Sequence, residues 1–436
     1  MSGRLGAYVI HMKKLPLVAP EGKTDTREAV RTNGGFAFIF RRAKWVTLLL
    51  LVLFALFMLF FFRDSINYEN FLFLVRDLDA EYGADAGDTP VGVTYDADSE
   101  MICRVFKDYL IMVDTAHVNL YGLSGYSVFS YPHSYLNPAV SVSENYFAVY
   151  ELGGYQLAIY SAVGELYRSK TYSFPITDVC IADDGTFAVV TKSDTYSSVV
   201  QVFDNRFNHV ASYNTMRYVT KVLLTDGAKT LMMASVYVKT GVPRMVLQAY
   251  PVGDTEEDFY LEYPEDDDAI GTLFTSAALP MNVAALTDKR VAVLCDSGVA
   301  FCTSGGDLEA FYSFVSNRPA AAGGLSTAVF GDGKMALLFN DRVNDGISHL
   351  AVLDSGGSHV YGDGGYITVH DRIRTADFYE GTLFLLSSTH AYRLEKSGKL
   401  TSVPLNQTGE VLAFTAKDEK TAIISYTDRT TAVYFN

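Results

Sequence analysis

Residues 176–203 read ITDVCIADDGTFAVVTKSDTYSSVVQVF. Three apolar runs stand in this stretch: Ile176–Ile181, Thr186–Thr191 and Val199–Phe203. Each is short, rich in β-branched residues and bounded by polar turns, so each reads as a strand. Asp184-Gly185 suits the first turn, because Asp bonds its own backbone and Gly accepts positive φ. The runs are apolar at successive positions rather than alternating. Such strands must be covered on both faces.

The middle run recurs. Copies are Tyr109–Asp114, Tyr146–Glu151, Thr186–Thr191, Thr230–Ser235, Arg290–Cys295, Lys334–Phe339, Thr382–Ser387 and Thr421–Tyr426. Their starts are 37, 40, 44, 60, 44, 48 and 39 residues apart. A second run follows each copy, as at Val118–Tyr121, Leu157–Tyr160, Leu350–Leu353 and Thr431–Tyr434. Another usually precedes it, as at Ala139–Val142 and Val411–Phe414.

A period near 40 residues with about four strands per unit is that of a β-propeller blade. A single four-stranded sheet cannot bury both faces, whereas blades packed around an axis can. The expected fold is all-β, an eight-bladed β-propeller. Seven blades is the alternative, since the first or the 60-residue unit can be miscounted. A pair of β-sandwiches has no need of eight similar units. The last unit has only three strands before Asn436, and Val91–Thr94 is a spare strand upstream. Residues 91–94 are expected to complete the last blade and leave no open edge.

Upstream of the repeat, Trp45 to Phe62 reads WVTLLLLVLFALFMLFFF, eighteen residues without a charge. As a helix it would be roughly 27 Å long, close to the hydrocarbon thickness of a bilayer. It is longer than the apolar core of a signal peptide and lacks a small-residue cleavage site. Residues 45–62 therefore read as an uncleaved transmembrane signal-anchor, with the lipid bilayer as partner. Residues 1–44 carry nine Lys and Arg against three acids, a charge of +6, which leaves −21 for the rest of a chain of net charge −15. The basic flank places the tail in the cytoplasm and residues 63–436 outside. The tail, with Pro16, Pro20, Gly34 and Gly35, reads as mostly disordered. Residues 63–90 read as a short amphipathic helix (Tyr68 to Tyr82) and a linker. The propeller occupies 91–436.

The acidic body excludes nucleic acid as a partner, because phosphate contacts need clustered Lys and Arg. None of the eight His forms an H-E-x-x-H or H-x-H pair, and no phosphate loop or G-x-S-x-G turn is present. No catalytic residue, metal site or cofactor is expected. The acidic stretch 253–268 (GDTEEDFYLEYPEDDD) has the hard oxygen ligands of a Ca²⁺ site but not its frame, and reads as a solvated loop. Four Cys exclude a disulfide scaffold. Cys103 and Cys180 fall two blades apart. Cys295 and Cys302 could meet across a hairpin, but all four read as free and buried. The only Trp is Trp45, which argues against the WD40, kelch and quinoprotein-dehydrogenase subfamilies, whose blades use Trp.

In a propeller, the link from an outer strand to the next inner strand passes beside the central channel. Those links hold His133, Tyr135, Arg217, Tyr218, Arg318, His370, Arg372 and Arg374. Four Arg at one face of an acidic domain could hold an anion by bidentate hydrogen bonds. The competing reading pairs each Arg with a nearby acid or leaves it in solvent.

The stretches ELGGYQLAIYSAVGELYRS, ITDVCIADDGTFAVVTKSDTYSSVVQVFD and YVTKVLLTDGAKTLMMASVYVKTG within 145–253 resemble an uncharacterised family. Its members are single-pass, membrane-anchored propeller proteins of low-GC Gram-positive bacteria, classed as a domain of unknown function. The likeness covers most of 45–436 and is firmest in 140–260. The blades also look like the quinoprotein-like and WD40-like propeller classes in general. The resemblance implies fold and topology and transfers no functional residue. Two functions stay open. One is a non-catalytic binding or scaffold propeller at the cell envelope, contacting a protein or polymer. The other is an enzyme acting on envelope glycan or a small molecule at the channel mouth. Propellers host many functions, so fold does not choose between them.

Overall fold

The computed structural model describes residues 45–54, 57 and 101–435, apart from 123–125, 170, 240, 254–256, 262–278, 332, 362–364, 406–408 and 428. The expected cytoplasmic tail, the 63–90 helix and linker and the closing strand 91–94 lie outside these residues. The chain divides into two units, Met1–Asn67 and Tyr68–Asn436. In the first, residues 45–54 are helical, with large apolar side chains such as Leu49 and Phe54 exposed. Among the described residues no helix is long and apolar enough to cross a membrane. The run 45–62 lies partly outside them.

The second unit contains eight antiparallel sheets built from consecutive strands. Their inner strands are Ile102–Phe106, Pro138–Val142, Ile176–Ile181, Tyr218–Thr225, Pro280–Thr287, Ala322–Gly331, Ile373–Tyr379 and Val411–Asp418. Each contacts the next, and the eighth contacts the first, so the ring is closed. This is an eight-bladed β-propeller. The eight recurring runs of the sequence are the second strand of each blade, for example Tyr109–Val113 and Thr382–Ser387.

Burial explains why those runs are apolar throughout. In blade 3 the second strand, Phe187–Thr191, is wholly buried. Phe187 and Val189 pack with Ala148, Tyr150 and Ile159 of blade 2. Ala188 and Val190 face the other way, onto Val219, Val222 and Leu231 of blade 4. Alternate residues thus serve different seams. The turn before this strand is pinned as its composition foretold. Asp184 Oδ1 accepts from Thr186 N at 2.9 Å, and Gly185 sits at φ 92°. The ring closes where Cys103, Leu110 and Met112 of blade 1 pack with Ile423 of blade 8.

Three blades depart from four strands. Blade 8 (Val411–Asp418, Thr421–Tyr426, Thr430–Tyr434) has three among the described residues. So has blade 4 (Tyr218–Thr225, Thr230–Lys239, Val242–Pro251). The next strand, Glu257–Leu261, turns back and pairs in parallel with the outer strand His209–Thr215 of blade 3, giving that blade five strands. This corrects the solvated-loop reading of 253–268 for residues 257–261; residues 254–256 and 262–268 lie outside the described ones. The acids mask a short strand whose Phe259 stacks on Tyr213, ring centroids 4.8 Å apart. The detour also accounts for the 60-residue spacing.

All four Cys are free and buried. Cys302 sits opposite Val291, and Cys295 Sγ approaches Met245 Sδ at 4.0 Å, so the two are not cross-strand partners. Burial raises the thiol pKa of Cys103 to about 11 and of Cys180, Cys295 and Cys302 to about 12.

Candidate binding face and side cleft

Strand order puts the blade-to-blade links and the turns between second and third strands on one face. Hydrogen bonds tie the two sets together. His133 N donates to Ala116 O, Leu152 N to Asn137 O, Arg342 N to Ala321 O and Leu405 N to Thr389 O. The three links involved are thereby held by turns of flanking blades, which braces the link face there.

The link residues singled out in the sequence stand at several depths of it. His133 and Tyr135 are neighbours, rings stacked at 4.6 Å. Tyr135 is only 1% exposed and belongs to the core between blades 1 and 2. Its phenol is pushed up to about 12 by burial, and burial lowers the His133 imidazole below its ordinary value. Arg217 is 3% exposed and hydrogen-bonded through Nη1 to Gln248 Oε1, which also accepts from Tyr250. Tyr218 beside it is exposed. Arg318 Nη1 donates to Gly323 O at 3.1 Å. His370, Arg372 and Arg374 are exposed. The structure thus brings together His133 with Tyr135, and Arg217 with Tyr218, on separate links. The four Arg share no common partner among the described residues.

Next to Arg372 lies a compact polar knot. Asp371 Oδ2 accepts from Ser387 Oγ at 2.6 Å, Thr389 Oγ1 at 2.9 Å and Tyr392 OH at 3.1 Å. These donors hold the carboxyl below its ordinary pKa against the opposing effect of burial. In blade 6 His349 Nε2 meets Asp341 Oδ2 at 2.9 Å. The first knot staples the link between blades 6 and 7 to blade 7, and the second a turn of blade 6 to its own blade. Among the described residues no group of three or more His, Cys, Asp or Glu is placed to hold a metal ion.

Two features of this unit were not foreseen. The first is apolar exposure on the link face. Leu136 (87%), Val315 (82%) and Val343 (96%) stand in solvent there, with Tyr218, Leu279 and Met281. The ten-residue strands Thr230–Lys239 and Val242–Pro251 run past Tyr218, which pairs with Val236, and carry exposed Val238 upward. On the opposite face Val142, Val163, Leu308, Tyr126 and Tyr434 are exposed, each less so than Leu136, Val315 and Val343.

The second is a cleft of about 600 Å³ between blades 2 and 3. Blade 2 has a four-residue outer strand, Glu165–Arg168, so it leaves the neighbouring third strand of blade 3 partly uncovered. That strand, Ser198–Phe203, alternates buried and half-buried residues. Val200 and Val202 are core, while Val199, Gln201 and Phe203 line the cleft. Tyr167, Tyr172 and Phe174 supply further aromatic wall. The alternation in SSVVQVF and the shortness of the preceding outer run are the signals a sequence reading could have used.

Residues 90–434 match the sequence profile described as "Family of unknown function (DUF5711)". The chain belongs to this family. DUF5711 names no activity, and no curated protein matches the chain in sequence. Among solved structures this DUF5711 chain is similar to BamB from Moraxella catarrhalis, at 11% identity and TM-score 0.47, covering 80% of this chain and 100% of that one. It is similar to apo AztD from Citrobacter koseri, at 10% identity and TM-score 0.47, covering 80% and 96%. It is also similar to the Cps50 (Swd1) β-propeller domain of Myceliophteria thermophila, at 11% identity and TM-score 0.44, covering 80% and 100%. No chemistry of this DUF5711 chain follows from likenesses at that level.

Proposed function

We propose that this chain is a membrane-anchored, extracytoplasmic propeller that works as a non-catalytic binding or scaffold module at a bacterial cell envelope. The link face is its contact surface. The carrying observation is that Leu136, Val315 and Val343, the most exposed aliphatic side chains described outside residues 45–57, all stand on that one face, with Tyr218 and Met281. Single exposed apolar residues need no explanation, but the fall of the most exposed ones on one braced face supports an interaction surface there. Aromatic and Met side chains are enriched at such surfaces, and Arg372 and Arg374 supply a polar surround. The anchor reading rests on the uncharged run 45–62 and its basic flank.

The test is photocrosslinking in the native membrane. Benzoylphenylalanine at position 343 or 315 reports the link face, and at position 163 the opposite face. Adducts to an envelope component from 343 and 315, lost on adding Leu136→Asp and Tyr218→Asp to a folded protein, support the reading. Adducts from position 163 alone would overturn it.

A further inference from the structure

We infer that the cleft between blades 2 and 3, which opens at the link face through residues 171–174 and Lys192, is a binding site distinct from the exposed apolar residues of that face, and that its ligand is an anionic oligosaccharide. The cleft runs along one side of Ser198–Phe203, and its volume of about 600 Å³ falls inside the usual range for small-ligand sites, roughly 300–1,000 Å³. The argument has three parts.

The charge of the lining is inverted relative to the protein. The chain is strongly acidic, yet the cleft's lining contains Arg168 and Lys192 and no carboxylate. Arg168 is engaged by Glu165 at 2.5 Å. Lys192 is exposed and has no ion-pair partner among the described residues. A lone ammonium in a carboxylate-free cleft selects negative charge.

The polar groups of the lining are unspent. The Gln201 amide is half-buried and has no hydrogen bond to protein among the described residues. The half-buried Tyr172 hydroxyl and the exposed hydroxyls of Thr171 and Ser173 likewise have no hydrogen bond to protein among the described residues. A half-buried amide gains a full hydrogen bond's worth of stabilisation only when a ligand or water meets it. Many neutral donors and acceptors at close spacing match a ligand with many hydroxyls.

The apolar part is aromatic. Phe203 lies parallel to Phe187, 4.8 Å centroid to centroid, so its ring is held in place from behind. Tyr167 is braced in the same way by Phe207, also at 4.8 Å. Fixed aromatic faces beside hydroxyls and an amide suit the C–H face of a pyranose ring. An extended peptide would need a free backbone edge. Ser198–Phe203 has none, because Phe187–Thr191 and His209–Thr215 occupy both of its edges, and the edge strand in the lining, Glu165–Arg168, is only four residues long.

The test is calorimetric titration of the detergent-solubilised full chain with tetragalacturonate. The neutral galactose tetramer and tetra-aspartate serve as comparisons. Saturable binding of tetragalacturonate is expected, weakened about tenfold or more by Lys192→Glu and measurably by Gln201→Leu, with the thermal midpoint of both variants unchanged. The neutral tetramer should bind about tenfold more weakly. Absence of saturable binding, equal affinity of Lys192→Glu and wild type, or tetra-aspartate binding as tightly as the saccharide would each overturn the inference. None of these outcomes bears on crosslinking at positions 343 and 315, so the two proposals fail separately.

Discussion

The carboxylate of Asp178 reaches across the seam between blades 3 and 4 to Lys221, whose Nζ donates at 2.7 Å, while its other oxygen accepts from Val222 N at 3.0 Å. Asp178 is almost fully buried, whereas Lys221 is 37% exposed. Asp377 repeats the device between blades 7 and 8, accepting from Thr415 Oγ1 and Ala416 N, each at 2.8 Å. Inner strands of adjacent blades share no ladder, so these carboxylates supply the polar bonds that ladders supply elsewhere.

Removing the first of them should be costly. Asp178→Ala leaves Val222 N unpartnered and is expected to lower stability by about 2–3 kcal/mol, read from urea denaturation. Asp178→Asn keeps an acceptor for Val222 N and should cost about 1 kcal/mol. Lys221 is partly solvated, so Lys221→Ala should also stay near 1 kcal/mol. Equal losses for Ala and Asn at 178 would mean that the charge, not the hydrogen bond, holds the seam.

The returning strand Glu257–Leu261 adds one aromatic contact to its parallel ladder with His209–Thr215. Phe259 lies on Tyr213 with 8° between ring planes, and Tyr213 OH donates to Pro251 O at 2.8 Å. A double-mutant cycle on Phe259→Ala and Tyr213→Leu should give a coupling of about 1 kcal/mol. Phe259→Ala alone should raise hydrogen exchange in residues 257–261 while sparing the ring of inner strands.

His133 should make stability fall on mild acidification. Its Nδ1 accepts from Tyr135 N at 3.1 Å, a role open only to the neutral ring, and burial lowers its pKa. The unfolded chain then binds the proton more readily than the native one, so stability is present above the ordinary His value near 6.5 and declines as pH falls through it. His133→Phe should flatten the thermal midpoint between pH 7.5 and pH 5.5, buffer values chosen to bracket that range. At stronger acid a second decline is expected. Hydrogen bonds from His349, Val343 N and Asn344 N hold the Asp341 carboxyl at about 2, so its contribution is lost between the ordinary Asp value and about 2. Burial acts oppositely on Asp178 and Asp377 and raises both, so their protonation does not oppose folding in that window.

The thiols should be silent in the native state. Raised to about 11 and about 12, the four Cys carry almost no thiolate at neutral pH and are shielded from reagent. A thiol-specific dye is expected to label none at pH 8 and all four in 6 M guanidinium, reagent conditions in which the core is open. Native labelling of Cys295 or Cys302 would show that blade 5 opens locally.

The blade count was legible because each second strand is buried on both faces, which leaves an uninterrupted apolar run at a fixed period. Tyr109–Val113 and Thr421–Tyr426 could be located by composition alone. The route of Glu257–Leu261 could not, since its acids resemble a loop and its partner strand lies more than 40 residues upstream. The burial of Arg217 and Tyr135 was equally hidden. Nothing local in YNTMRYV or PHSYLNP announces that Gln248 or a neighbouring blade will take the side chain. The side cleft arises from the length of one outer strand relative to its neighbour, a comparison of elements rather than a motif.

The seam joining Cys103, Leu110 and Met112 to Ile423 has a consequence in time. A chain made from its amino end presents the first blade's face hundreds of residues before the covering strand exists. Until Thr421–Tyr426 arrives, that face is bare to water and to other nascent chains. Closure is a late, long-range event, slow by the measure of sequence separation. A product cut short before residue 411 would keep seven blades, and its first and seventh would each lack a neighbour. Such a fragment is expected to associate with copies of itself rather than persist as a smaller ring.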